Sequence, residues 1–176
     1  MLKFSKPFST IVLDPPWKMT GGKNRGADSH YNVLNQGQLT ALVKMWIANE
    51  NIAKDAHMYL WVTNTFLAAG LDLMRECGFT YKTNIVWTKN QMGMGQYFRG
   101  KHEICLFGIK GKGYNVRTHA KNITSVIHEA KREHSRKPLE FYKLVEARSH
   151  GPYIELFSRT SRRGWKMIGN EVGKFK

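Results

Sequence analysis

The chain has 176 residues, 41% of them hydrophobic, which is enough for one substantial core and short of what two comfortable domains need. A formal net charge of +15 singles out a polyanion as counter-surface, nucleic acid first and a membrane surface second. No stretch nears the roughly 20 apolar residues of a spanning helix, and the N-terminus lacks the apolar core of a signal peptide. Cys77 and Cys105 lack metal or redox spacing. The expectation is a single domain over residues 1–176, with free thiols, in the cytoplasm and not in a membrane.

Thr10-Ile11-Val12-Leu13 is a short apolar run with two β-branched residues, stopped by Asp14-Pro15-Pro16-Trp17, and reads as a buried strand. Residues 18–35 form a long polar loop with Gly21, Gly22 and Gly26. Leu39, Leu42, Val43, Trp46 and Ile47 recur at helical spacing. His57 to Val62 reads as a second strand, and Thr63-Asn64-Thr65 as the cap of a helix that carries Leu67, Leu71 and Met74 and stops at Gly78.

Residues 84–88 predict a third strand and residues 104–109 a fourth, joined by a glycine-rich loop over 89–101. Residues 110–137 are basic and irregular, with a brief apolar break at Val126-Ile127, and read as surface. Pro138 suits the first turn of a helix through Leu139, Tyr142, Leu144 and Val145. Ile154 to Phe157 and Trp165 to Ile168 close the chain as strands. Alternating strands and helices predict an α/β fold, a mostly parallel sheet with helices on both faces. If the first strand and Ile154 to Phe157 are neighbours, Asp14 and Arg159 line one crevice beyond the strand ends, where open α/β sheets bind ligands.

Asp14-Pro15-Pro16-Trp17 can do chemistry as well as stop a strand. The exocyclic amine of adenine is a poor nucleophile because its lone pair is delocalised into the ring. Asp14 accepting one N–H and the Pro15 carbonyl the other would localise that lone pair, since the proline pair fixes the carbonyl direction. Trp17 would stack on the base, which must leave a duplex to get there. The bland reading is a turn with Trp17 covering the core.

The motif and its successors resemble the S-adenosylmethionine-dependent adenine N6-methyltransferases of the MT-A70 type. The resemblance runs through Tyr31, residues 59–63, residues 85–89, His102-Glu103, residues 135–138, residues 154–159, Trp165 and Gly169-Asn170. It implies a Rossmann-like class I methyltransferase in permuted order, with the catalytic motif first and the cofactor motif last. It also implies S-adenosylmethionine as cofactor, Asp14 as catalytic carboxylate near the donor's methionine end, and Tyr31 in the base pocket. Arg159 and Asn170, with Glu171 beside them, match positions that hold the cofactor ribose, and Lys101 or His102 the one that meets its carboxylate. Where the family often has His and Asn beyond the arginine, this chain has Ser161 and Arg162.

Other motifs fail. The Gly95 to Lys101 stretch has phosphate-loop spacing, but His102 replaces the Ser or Thr and a strand follows. His128-Glu129 and His134 lack zinc-helix spacing, and no Pro-Cys-x-x-Cys is present, so no metal is expected. Lys137-Pro138 reads as a helix entry, and Trp46, Trp61 and Trp87 as core.

For the polyanion, Lys18, Tyr97 and Arg99 are candidate contacts, with the loops over 18–31 and 89–101 as gates. DNA leads over RNA because the chain looks like a phage or bacterial modification enzyme with short or relaxed sequence preference. The alternatives are RNA adenosine methylation, a non-catalytic nucleic-acid-binding subunit, and methylation of cytosine or a protein amide. A homodimer or a partner subunit is compatible with the sequence.

Overall fold

The computed structural model describes residues 6–17, 35–93, 95, 97–133, 136–170 and 172–174. Its centre is one sheet of seven strands: β1 (Phe8–Leu13), β2 (Ile52–Val62), β3 (Thr80–Thr88), β4 (His102–Lys110), β5 (Val126–His128), β6 (Tyr153–Leu156) and β7 (Trp165–Ile168). They lie in the order β5-β3-β4-β2-β1-β6-β7. β1 pairs in parallel with both β2 and β6, and the only antiparallel neighbours among the described strands are β2–β4 and β3–β4. The sheet is therefore mostly parallel, as expected, with β4 reversed because it returns from β3 as a hairpin.

Helices cover both faces. α1 (Gln36–Asn49) and α2 (Leu67–Glu76) place Leu39, Val43, Leu73 and Met74 on the side chains of Ile11, Leu13, Met58 and Leu60. α3 (Leu139–Arg148) places Phe141, Tyr142 and Val145 on the opposite face, against Val12, Tyr59 and Trp61. This is the two-fold alternation of a strand buried on both sides. Ile11, Val12 and Leu13 are fully buried, each worth roughly 1.5–3 kcal/mol. A charge is first tolerated where the strand ends, at Asp14.

Gly70 explains how closely α2 lies on the sheet. A Cβ there would stand 2.4 Å from Val62 Cγ1, and β-branched Val62 has little freedom to turn away.

Several elements differ from their sequence signals. β2 and β3 begin earlier than expected. Thr63 sits in the extended conformation of a cap but makes no side-chain capping bond, and a 3-10 turn (Asn64–Phe66) leads into α2. Pro138 occupies the cap position and not the first turn of α3. The exposed N–H groups of Leu139 and Glu140 instead donate to the two carboxylate oxygens of Glu129, at 3.0 and 3.1 Å. Residues 110–137 are not merely surface: Ile127 extends the sheet as part of β5 and is 2% exposed. α1 has an unforeseen capping box between Asn35 and Gln38. Phe8, which opens β1, is buried in the core.

A buried polar tie joins β2 to the end of α3. His57 Nε2 lies 2.7 Å from the Gly113 carbonyl, which can only accept, so Nε2 carries the proton. Nδ1 then accepts from Ser149 Oγ at 2.7 Å, and Ser149 Oγ accepts from the Tyr59 hydroxyl at 2.7 Å. Burial holds the His57 imidazole down at about 4, against an ordinary 6.5. The folded value lies below the unfolded one, so the tie's stabilisation is complete above pH 6.5 and is lost as pH falls towards 4. Glu155, whose carboxyl is pushed up to about 7, acts in the opposite sense. The unfolding free energy of the wild type, read from urea titrations, is expected to fall more steeply from pH 6.5 to 4 than that of His57→Gln, by up to about 3 kcal/mol. Identical slopes in the two proteins would clear His57 of this role.

Candidate active site

Parallel strands bring their carboxyl ends to one edge, and the reversed β4 brings its amino end to the same edge. Asp14 follows β1, Lys89 follows β3, Glu103 opens β4, and Lys137 arrives after β5. These four form a ladder of alternating charge. Lys137 Nζ is 2.9 Å from Asp14 Oδ1 and 3.2 Å from Glu103 Oε2, and Lys89 pairs with Glu103 Oε1. The ladder lies on a floor of indoles: Lys137 Nζ is 5.0 Å from the Trp61 ring centre and Lys89 Nζ 4.7 Å from that of Trp87.

Burial and pairing compete along the ladder. Burial works against the Glu103 anion, yet Lys137 and Lys89 together pull its carboxyl down to about 2. Burial likewise opposes the Lys137 cation, and Asp14 and Glu103 overcome it, so the ammonium is held above its ordinary value. At Asp14 burial wins over Lys137 and the carboxyl is raised. Asp14 is therefore the member of the ladder most ready to take a proton.

The Pro-Pro turn is rigid in the way its sequence suggests. The Trp17 N–H donates to the Pro15 carbonyl at 2.9 Å, which aims that carbonyl and leaves its second lone pair for a ligand. Trp17 is more constrained than a bare stacking platform. Its indole N–H donates to the Trp61 carbonyl at 2.9 Å, and its ring stacks on Phe66 at 5.4 Å.

β6 lies beside β1, and Asp14 and Arg159 line one crevice, partly open to solvent. Lys137, Tyr142, Glu155 and Thr160 share it. Phe157 turns there with φ of 64°, a left-handed conformation unusual for a phenylalanine. The turn puts its ring against Trp46, 4.9 Å away on the α1 side, where strand alternation would have sent it towards α3. Phe157 itself lines the crevice.

Other expected site residues stand apart. Lys101, His102, Ser161 and Asn170 are exposed, and none of them lines the crevice. Tyr97 is 93% exposed on the β3–β4 loop, and Arg99 donates there to the Gly93 carbonyl. Lys18, Tyr31 and Glu171, with most of the loop over 18–35, lie outside the described residues. Conversely, Lys137 is far more than a helix entry, and Glu103 does more than pair at a strand entrance. A lysine before Pro138 and a glutamate opening an apolar strand were the available signals, but neither says which partners the sheet supplies.

The donor set suits a molecule with a carboxylate, a positive charge and hydroxyls. Arg136 and Arg159 offer positive charge, Asp14 and Glu155 negative charge, and Thr160 Oγ1 and Arg162 Nε are buried polar atoms with no hydrogen-bond partner among the described residues. These residues fit S-adenosylmethionine.

Comparison with known proteins agrees with the geometry. The model of the MT-A70 family matches residues 8–171. A Medicago truncatula protein of the MT-A70-like type is 31% identical over 94% of this chain. An Arabidopsis thaliana N(6)-adenosine-methyltransferase MT-A70-like protein is 29% identical, and the human N(6)-adenosine-methyltransferase catalytic subunit METTL3 28%, each again over 94% of this chain. The chain spans about a quarter of these relatives' length: 26%, 24% and 28% respectively. With the match running from β1 past β7, the chain belongs to the MT-A70 family.

Proposed function

We propose that this protein transfers a methyl group from S-adenosylmethionine to the N6 amine of adenosine, with RNA as the leading substrate. The observation that carries the reading is Asp14, held at the end of the central strand with its carboxyl raised, beside an aimed proline carbonyl and across one crevice from Arg159. MT-A70 methyltransferases use S-adenosylmethionine. When bound, that cofactor supplies an electrophilic methyl group on a sulfonium.

The chain's own residues prepare the amine. Lys137 holds Asp14 Oδ1, and Oδ2 accepts one N–H of the adenine amine while the Pro15 carbonyl accepts the other. Acceptors that hold both N–H groups so that the nitrogen can become pyramidal would draw the lone pair out of conjugation and point it across the crevice. The N–C bond would form as the methyl–sulfur bond breaks and the donor leaves as a neutral thioether; the amine then loses a proton, and the raised carboxyl of Asp14 is suited to take it before passing it to water. Lys137 keeps the carboxylate from turning away, and Glu103, shared with Lys89, keeps Lys137 in place. On the donor side, Arg136 and Arg159 meet the carboxylate and ribose.

The nucleic acid is drawn in by charge. Every acidic side chain among the described residues is engaged in an ion pair or hydrogen bond, so the basic excess is left to the surface. Tyr97 and Phe98, 93% and 90% exposed next to Arg99, suit stacking on unpaired bases. DNA was the first expectation from the sequence. The relatives' names favour RNA, since adenosine is the ribonucleoside they act on. A partner subunit remains part of the proposal, because the human relative is named as a catalytic subunit.

Incubation with S-adenosylmethionine and single-stranded RNA, single-stranded DNA or duplex DNA, followed by nucleoside mass spectrometry, is expected to give N6-methyladenosine foremost from RNA. Methyladenine from DNA alone would reverse the substrate order. Asp14→Ala is expected to lower the single-turnover rate by roughly 10²- to 10³-fold or more, as loss of an oriented polar contact does. Lys137→Met should lower the same rate by about 10- to 100-fold and Lys137→Arg by less, with donor binding largely kept. Wild-type rates in Lys137→Met would show that the ladder does not orient Asp14.

A further inference from the structure

The end of the sheet away from the ladder carries another group of basic and aromatic side chains. A 3-10 turn (Gly113–Asn115) follows β4 there and presents Tyr114, 66% exposed. Lys112, Arg117 and His150 are exposed beside it. Arg148 belongs to the same corner, since it and His150 both lie close enough to His57 to work against its protonation. Tyr114, Arg117 and His150 make no side-chain hydrogen bond or ion pair among the described residues.

The turn that presents Tyr114 is held from three sides. The Lys112 N–H donates to Asp55 Oδ1 at 2.8 Å and Asn115 Nδ2 to Asp55 Oδ2 at 2.7 Å, so both oxygens of this acid are occupied. The Gly113 carbonyl accepts from buried His57, and a Cβ on Gly113 would stand 2.7 Å from Ile109. Beyond the turn Val116 is buried and its carbonyl accepts the His150 N–H at 2.8 Å, while the Thr118 N–H donates to the Arg148 carbonyl at 3.0 Å. A fixed backbone that holds an aromatic ring in solvent has little freedom to lose when a flat group stacks on that ring.

The surface fits flat rings carried on an anionic backbone. An acidic peptide would meet the cations but would leave the Tyr114 ring without a stacking partner, whereas an unpaired nucleobase stacks on it while neighbouring phosphates meet the cations. The position is remote from the reacting atoms. His57, which holds the turn, lies with its ring 4.9 Å from Phe107, which packs on the α3 side of the sheet, the side that Cys105 also faces near Glu103. β4 has nine residues (His102–Lys110) between the ladder and the turn, and at roughly 3.3 Å per residue the two are about 26 Å apart.

We propose that Tyr114, with Lys112, Arg117, Arg148 and His150, forms a second contact for single-stranded RNA, where a base outside the methylated position stacks and its phosphates are neutralised. This rests on the RNA reading above and extends it from the target base to the strand that carries it. An RNA of about 20 nucleotides can follow the surface from the crevice to Tyr114, and one of about 4 cannot.

The test is methylation by the full chain of two single-stranded RNAs, about 20 and about 4 nucleotides long, each with one adenosine. The wild type is expected to show a KM at least about tenfold lower for the long RNA. Tyr114→Ala should raise the long-RNA KM about tenfold, with kcat unchanged and both constants on the short RNA unchanged, and Tyr114→Trp should restore it. Arg117→Gln should make the salt dependence of long-RNA binding shallower by about 0.7 in the log–log slope. Unchanged long-RNA constants in both Tyr114→Ala and Arg117→Gln overturn the proposal, and so does an equal loss on both RNAs. Polyglutamate bound by the wild type and lost in Arg117→Gln, with long-RNA constants unchanged, would give the surface to an acidic protein and overturn it too. Should Tyr114→Ala fail to fold, Arg117→Gln carries the same comparison. A wild type that methylates neither RNA overturns the proposed function, and fluorescence anisotropy of the long RNA with the same variants then decides this surface separately.

Discussion

Lys137 stands between Asp14 and Glu103 with its side chain 10% exposed, and most of the site depends on that position. Burying one ammonium costs several kcal/mol unless opposite charge surrounds it. Here two carboxylates do so, and Lys89 completes the balance at Glu103. Alternation is what makes the arrangement tolerable: two positive and two negative groups share one partly buried edge with no net charge. Such a ladder adds little to stability compared with apolar packing. Its use is to fix direction. Asp14 cannot rotate freely while Lys137 grips one oxygen, and Lys137 cannot leave while Glu103 holds it.

The four members come from far apart in the chain, and sheet topology alone brings them together. β1 and β3 deliver residues at their carboxyl ends. β4 runs the other way and delivers Glu103 at its amino end. The segment after β5 crosses this edge on its way to α3, and Glu129 fixes where α3 begins by accepting its first N–H groups. Trp61 and Trp87 complete the arrangement from below. Their rings face the two ammonium groups, so residues that read as core from their apolar neighbours also form the floor of the site.

The same account links internal charge to external charge. The described carboxylates are consumed by the ladder, by helix ends, by turns such as the one Asp55 ties to Lys112 and Asn115, and by surface pairs. Little negative charge is left to offset the lysines and arginines outside. A polyanionic substrate then meets a basic surface.

Local signals in the sequence were enough for much of this. The apolar runs determined the strand interiors, because a period of two or an unbroken β-branched run is set by neighbours in the chain. Asp14-Pro15-Pro16-Trp17 marked the site, because a carboxylate at a strand end next to two prolines is a local fact, and the pairing of β1 with β6 that would bring Arg159 to the crevice could be anticipated from strand pattern. Only tertiary structure decided the rest. Lys137, Glu103 and Glu155 sit in stretches that the family resemblance covers, but their roles could not be read there, since what makes them matter is a partner tens of residues away. The reversed β4 depends on a hairpin whose direction no periodicity reports, and the left-handed turn at Phe157 places its ring on Trp46, a contact between distant parts of the chain. Sequence determines what each segment can be; the meeting of strand ends determines which charges must share a space, and therefore which of them can act.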